Sequence, residues 1–167
     1  MFKENDLVLY AGHGVCRILD SEIKVVDKKK VEYFVLEPVE QPGTRFYVPK
    51  HNATAVGKMR HILNKREIDA LLQSVKEMEF VWIDDENQRK QKYRDVLSSV
   101  DHNTLICMMR SAYQHKLEQR DSGRKFHLCD EHFLRDAERL LISEFSCALS
   151  IDQKDVKQYM IEHIGVI

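Results

Sequence analysis

The chain lacks any close pair of cysteines. Cys16, Cys107, Cys129 and Cys147 are scattered, with no CxxC spacing among them. Met1-Phe-Lys-Glu-Asn-Asp6 is polar from its first residues, so no signal peptide is expected. Together these features read as free thiols in a reducing cytoplasm. No apolar run approaches the roughly 20 residues that a membrane helix needs, so no membrane partner is expected. Excess charge of one sign is also missing: 26 Lys and Arg stand against 27 Asp and Glu. A globally basic nucleic-acid binder is therefore not indicated, and any DNA contact has to be local. There is no GxxxxGK[ST] phosphate loop, no GxSxG elbow and no GxGxxG fingerprint. An enzyme, and a stand-alone repair translocase in particular, is not expected, and neither is a cofactor. Internal repeats and low-complexity tracts are absent, and tryptophan occurs once.

What is present falls into two halves, which 167 residues can accommodate as two small domains. The first third is β-like. Leu7–Tyr10 is a short apolar run closed by Ala11-Gly12-His13-Gly14, where two glycines permit positive φ and a sharp reversal. Residues 15–26 read as a long strand whose alternation is imperfect, so a bend or bulge is expected. Asp27-Lys-Lys-Lys30 is a charged turn. Val31-Glu-Tyr-Phe-Val-Leu36 is rich in aromatic and branched residues and is the clearest strand. Arg45-Phe-Tyr-Val48 is a fourth, bounded by Gln41-Pro42-Gly43 and Pro49. Four or five short antiparallel strands in about 60 residues suggest a small barrel.

From Lys58 onward the pattern turns helical. Ile68, Leu71, Leu72 and Val75 share one helix face, with Asn64 as the candidate N-cap. Phe80-Val-Trp82-Ile-Asp-Asp-Glu-Asn-Gln-Arg89-Lys90-Gln-Lys92-Tyr-Arg94 follows, read as a helix that runs to about Leu97. Its three acids (Asp84, Asp85, Glu86) precede four bases, an order that suits the helix macrodipole. Asp101 caps a helix with Leu105, Met108, Met109, Ala112 and Tyr113 on one side, stopped by Asp121-Ser-Gly123. Asp130 is read as the cap of another, with Phe133, Leu134, Ala137, Leu140, Leu141 and Phe145. Asp152 caps the last. Short connections favour antiparallel neighbours in a bundle. The methionine and aromatic stripes read as core, not as a cofactor box.

Asp6-x-Val8-x-Tyr10-x-x-His13-Gly14-Val15, then Tyr33-x-Val35-Leu36, then Val48-Pro49-x-x-Asn52-Ala53-x-x-Val56-Gly57 resembles the N-terminal domain of the CarD/CdnL family of bacterial transcription regulators. The transcription-repair coupling factor carries the same module. The resemblance implies an α+β chain of two domains: a Tudor-like antiparallel β-barrel over residues 1–60 and an all-α helical bundle over 61–167. It implies docking of the barrel on the RNA polymerase β subunit, with Lys24, Arg45 and Tyr47 as the docking residues. Tyr47 stands where relatives can carry arginine. The helical half resembles the family more weakly, through a Trp ahead of an Arg-rich helix and through Ala137-x-x-Leu140-Leu141-x-x-Glu144-Phe145. That likeness implies a wedge role for Trp82 in the DNA minor groove at the upstream edge of the melted promoter. Arg89 and Lys90 then stand as phosphate contacts, with Arg124 and Lys125 adding charge from a loop.

Other readings of the same residues stay open. Trp82 is either a core anchor, as tryptophan commonly is, or a contact edge. Tyr10, Tyr33 and Val35 fit a small core, and His13 fits a turn. The acids after Trp82 would weaken a phosphate surface, which favours an adaptor that binds polymerase and recruits another protein without touching DNA. His127-x-Cys129-x-x-His132 contains metal-ligand types but lacks a fourth protein ligand nearby, so no metal site is expected. A monomer is expected, with self-association through a barrel edge left open.

Overall fold

The computed structural model describes residues 2–79, 81–99 and 101–165. Phe80, which opens the tryptophan stretch, lies outside the described residues. The chain divides into two compact units, Met1–Ile62 and Leu63–Ile167. Among the described residues, no helix is long and apolar enough to cross a membrane.

The first unit is an antiparallel sheet of five strands: β1 (Leu7–Tyr10), β2 (Gly14–Val26), β3 (Lys29–Pro38), β4 (Phe46–Pro49) and β5 (Met59–His61). A one-turn helix, α1 (Ala53–Val56), precedes β5. Gly12 and Gly14, at φ of 79° and 80°, make the reversal between β1 and β2. At the β2–β3 turn Val26 pairs with Lys29, and Asp27 and Lys28 both take positive φ. That is the twist a two-residue hairpin loop requires. The irregular alternation in β2 corresponds to a register shift between Ile18 and Asp20. A shift of this kind restores the inward set of side chains after an extra residue. Val8, Cys16, Ile18, Phe34, Leu36, Val48 and Met59 form the core.

The expected closed barrel is not what forms. The strand order is β4-β3-β2-β1-β5, so β4 and β5 are the two edges of an open sheet. Val48 on one edge strand and Met59 on the other nonetheless share one core. Burial of a common apolar face, rather than a closing ladder, unites the strands. The pattern reads as helical from Lys58 onward, but Met59–His61 is strand β5 and the first helix of that half starts at Lys65. The one-turn α1 before β5 was not expected. Three-residue strands and one-turn helices are too short for periodicity to show.

The second unit holds α2 (Lys65–Lys76), α3 (Glu86–Leu97), α4 (His102–Asp121), α5 (Leu128–Leu149) and α6 (Gln153–Ile164). Ile68, Leu72 and Val75 bury one face of α2. Its start is a capping box: Glu67 N–H donates to the Asn64 side chain and Asn64 N–H to the Glu67 carboxylate. Asp101 caps α4 by accepting from Thr104 N–H at 3.3 Å. One core joins all five helices, with Leu105, Met109, Phe133, Leu141, Phe145 and Met160 within it.

A buried polar pair sits in this unit. His102 Nε2 lies 2.5 Å from Glu144, whose other oxygen accepts from Leu63 N–H at 2.8 Å. Glu144 thereby ties the entry of the helical unit to α5.

Two helix starts differ from expectation. α3 begins at Glu86, with Asp85 as N-cap accepting from Gln88 N–H at 2.8 Å. Trp82 therefore precedes the helix instead of belonging to it. α5 begins at Leu128 after His127, which makes no side-chain cap bond. Asp130 is inside the first turn and fully buried, so its carboxylate serves a partner other than its own helix end.

Candidate functional site

In the sheet unit the residues of interest sit on β2, β3 and β4. Paired residues in an antiparallel ladder share a face, as do residues two apart on one strand. Glu22 pairs with Tyr33, Lys24 with Val31 and Val35 with Tyr47. Glu22, Lys24, Tyr33 and Tyr47 therefore present on one face. The Lys24 ammonium sits 3.1 Å from the Tyr47 ring centroid, a cation–π contact. Glu22 approaches the same ammonium at 3.9 Å. Tyr33 meets Tyr47 edge to face at 6.3 Å. Tyr47 is 38% exposed on an edge strand. Arg45 is exposed and precedes β4, which starts at Phe46, instead of lying within it as expected. His13 fills the turn beside β1, stacked on Tyr10 and close to Phe46.

In the helical unit the site is built around Trp82, half-buried in the non-helical segment 81–85. Its ring stacks on His115 of α4, with centroids 3.9 Å apart and planes 17° apart. The Arg89 guanidinium carbon lies 4.5 Å from the indole centroid. Phe126 approaches His115 at 6.4 Å, and Lys116 lies over the Phe126 ring.

Arg89 is not the phosphate contact expected of it. It is 3% exposed, and its donors are already committed. Nε donates to Asp130 Oδ1 at 2.9 Å and Nη2 to Oδ2 at 3.3 Å. Nη1 donates to the backbone carbonyls of Ile83 and Asp84 at 2.7 and 3.1 Å. Tyr93 O–H donates to Asp130 Oδ1 at 2.9 Å. Burial, together with the Asp130 charge and hydrogen bond, pushes the Tyr93 phenol well above its ordinary range. It therefore stays protonated and remains a donor. Burial opposes the Arg89 charge, but hydrogen bonding and attraction to Asp130 outweigh it and raise that group too. A buried pair of this kind is tolerable only because its donors and acceptors are satisfied.

The other expected DNA contacts differ in availability. Lys90 is half-exposed and paired with Glu86 on its own helix, and that bond raises the lysine and lowers the carboxyl. His127 lies 3.9 Å from Glu86 as well. Arg124 and Lys125 are exposed in the loop between α4 and α5. Among the described residues, no three His, Cys, Asp or Glu side chains are grouped to hold a metal.

A groove of about 540 Å³ is lined by Met78, Glu79, Val81, Arg110, Gln114 and Leu117, among others. Sequence reading missed His115 and the role of Asp130. Asp130 is 41 positions from Arg89, and no local pattern links them. The only hint was the aromatic Tyr93 on the same helix as Arg89.

A family model described as the CarD-like/TRCF RID domain matches residues 2–63. That span coincides with the sheet unit and ends before Trp82. Within it lie the strand pairing, the glycine turn and the Lys24–Tyr47 face described above. The N-terminal unit of this chain belongs to the CarD-like/TRCF RID domain family.

Proposed function

We propose that this protein is a transcription regulator that docks on RNA polymerase through its sheet unit and stabilises the open promoter complex with Trp82. The family match supports the polymerase contact, and the Lys24–Tyr47 face, with Arg45 beside it, is the candidate docking surface for the β subunit. The observation that carries the DNA part is the position of the indole. It is half-buried, stacked on His115 and packed against the helical core without being sealed inside it.

The proposed mechanism is physical and non-catalytic. Tethering to polymerase raises the effective concentration of the helical unit at the promoter. An indole entering the minor groove at a disrupted base step replaces part of the lost stacking, where unstacking costs a few kcal/mol per step. Such a contact favours melted over closed DNA only by its differential affinity. With Arg89 buried, backbone contacts fall to Arg124, Lys125 and, in competition with Glu86, Lys90.

The test is open-complex lifetime with wild type and Trp82→Ala, with polymerase binding measured alongside. A shorter lifetime at unchanged binding is expected. Equal lifetimes would remove the wedge.

An adaptor is the second reading. The groove that Val81 lines, itself 83% exposed, and the exposed acids Asp84, Asp85 and Glu86 favour a protein partner over a phosphate backbone. Salt-sensitive binding of the polymerase-bound protein to forked promoter DNA separates the two, because only DNA contact releases counterions.

A further inference from the structure

We infer that His115 is a positioning residue for Trp82, holding the indole in a fixed aim before it meets DNA. This rests on the wedge reading above and adds to it the side chain that sets the ring.

Trp82 has no helix of its own to orient it, since segment 81–85 is non-helical. Two contacts do that work instead. Arg89, anchored on Asp130, grips the carbonyls of Ile83 and Asp84, and so fixes the backbone immediately after Trp82. The Arg89 guanidinium carbon also lies 4.5 Å from the indole centroid, but a cation beside a ring does not by itself set the ring plane. The near-parallel stack on His115 fixes the ring plane.

The imidazole is itself held. The Gln119 side-chain amide donates to its Nε2 at 3.2 Å, and Glu118 lies 3.8 Å from its Nδ1. Phe126 flanks it, with Lys116 over the Phe126 ring. The charged groups around the stack are thus Glu118 and Lys116 of α4 and Arg89 of α3. A ring restrained in this way loses less rotamer freedom on insertion, and pre-organisation acts by lowering that cost.

The single tryptophan makes the contact observable. In the full-length protein, Trp82 fluorescence anisotropy is expected to fall in His115→Gln, where the ring loses its stacking platform, and to stay near the wild-type value in His115→Phe. In the polymerase–promoter complex, His115→Gln should shorten open-complex lifetime about 3- to 10-fold, within the range of one aromatic pair. His115→Phe, which keeps a flat platform, should restore it to within about 2-fold. Circular dichroism and polymerase binding, unchanged in both variants, exclude misfolding.

Wild-type Trp82 anisotropy in His115→Gln would overturn the positioning role. So would a wild-type lifetime in His115→Gln alongside a shortened one in Trp82→Ala. If Trp82→Ala itself matches wild type, the wedge falls first and the positioning role with it, a different result from failure of His115 alone.

Discussion

Tyr47 of the sheet unit and Trp82 of the helical unit are both rings with a cation against them, but what lies behind each cation differs. Lys24 reaches Tyr47 across the face of the sheet from a half-exposed position, with Glu22 at 3.9 Å in solvent. Exposed contacts of this type contribute about 0–1 kcal/mol and weaken with salt. Arg89 reaches Trp82 from a buried site, locked to a fully buried Asp130 that Tyr93 also serves. Removing one partner there leaves an uncompensated charge in the interior. A surface cation can be given up to a binding partner at little expense to the fold, whereas a buried one cannot. This is why Lys24 remains a candidate contact and Arg89 becomes scaffolding.

The largest expected effect breaks the buried side of that comparison. Asp130→Ala should destabilise the helical unit by about 3–5 kcal/mol, the usual range for orphaning a buried ion. Urea unfolding followed by Trp82 emission would show it. A loss under about 1 kcal/mol would mean that Arg89 finds water or another partner, contrary to a committed clamp.

A smaller effect concerns the α4 cap. Burial pulls the Asp101 carboxyl upward, but hydrogen bonds from the Thr104 hydroxyl and amide outweigh it and hold the group below its ordinary 3.8. A depressed folded-state value stabilises the fold fully above the unfolded value. That contribution fades as pH falls through the folded one. Because Asp101 is exposed, we expect only about 1 kcal/mol or less, on the scale of a cap. Asp101→Asn should keep most of the cap and flatten the acid-limb slope. An unchanged slope in that variant would contradict the assignment.

The smallest effect on stability belongs to the sheet face. Lys24→Glu together with Tyr47→Ala should cost the fold about 1 kcal/mol or less. The same pair should strongly reduce capture of the full-length protein by polymerase β-subunit fragments. Retained capture would move the docking surface elsewhere on the sheet, and a large loss of stability would show that the face is structural.

Much of the fold was legible because it is local. Aromatic and branched residues marked β3, a broken alternation marked the irregularity in β2, the glycines marked the first turn, and Asn64 and Asp101 marked helix starts through side chains that reach only three residues. The closed barrel was over-read, because strand count alone does not say whether β4 meets β5. Asp130 was misread as a cap for a related reason. An acid near a helix start looks the same from the chain whether it serves its own amides or a guanidinium brought in by another helix.

The sequence by itself determined the two-part layout, the caps at Asn64 and Asp101, the family of residues 2–63 and the singular indole, all of which depend on neighbours along the chain. Only the tertiary structure decided that Arg89 faces inward, that the sheet stays open, and that His115 lies against Trp82. Those outcomes depend on which distant surfaces are buried together, and burial is a property of the packed molecule that no short window of residues contains.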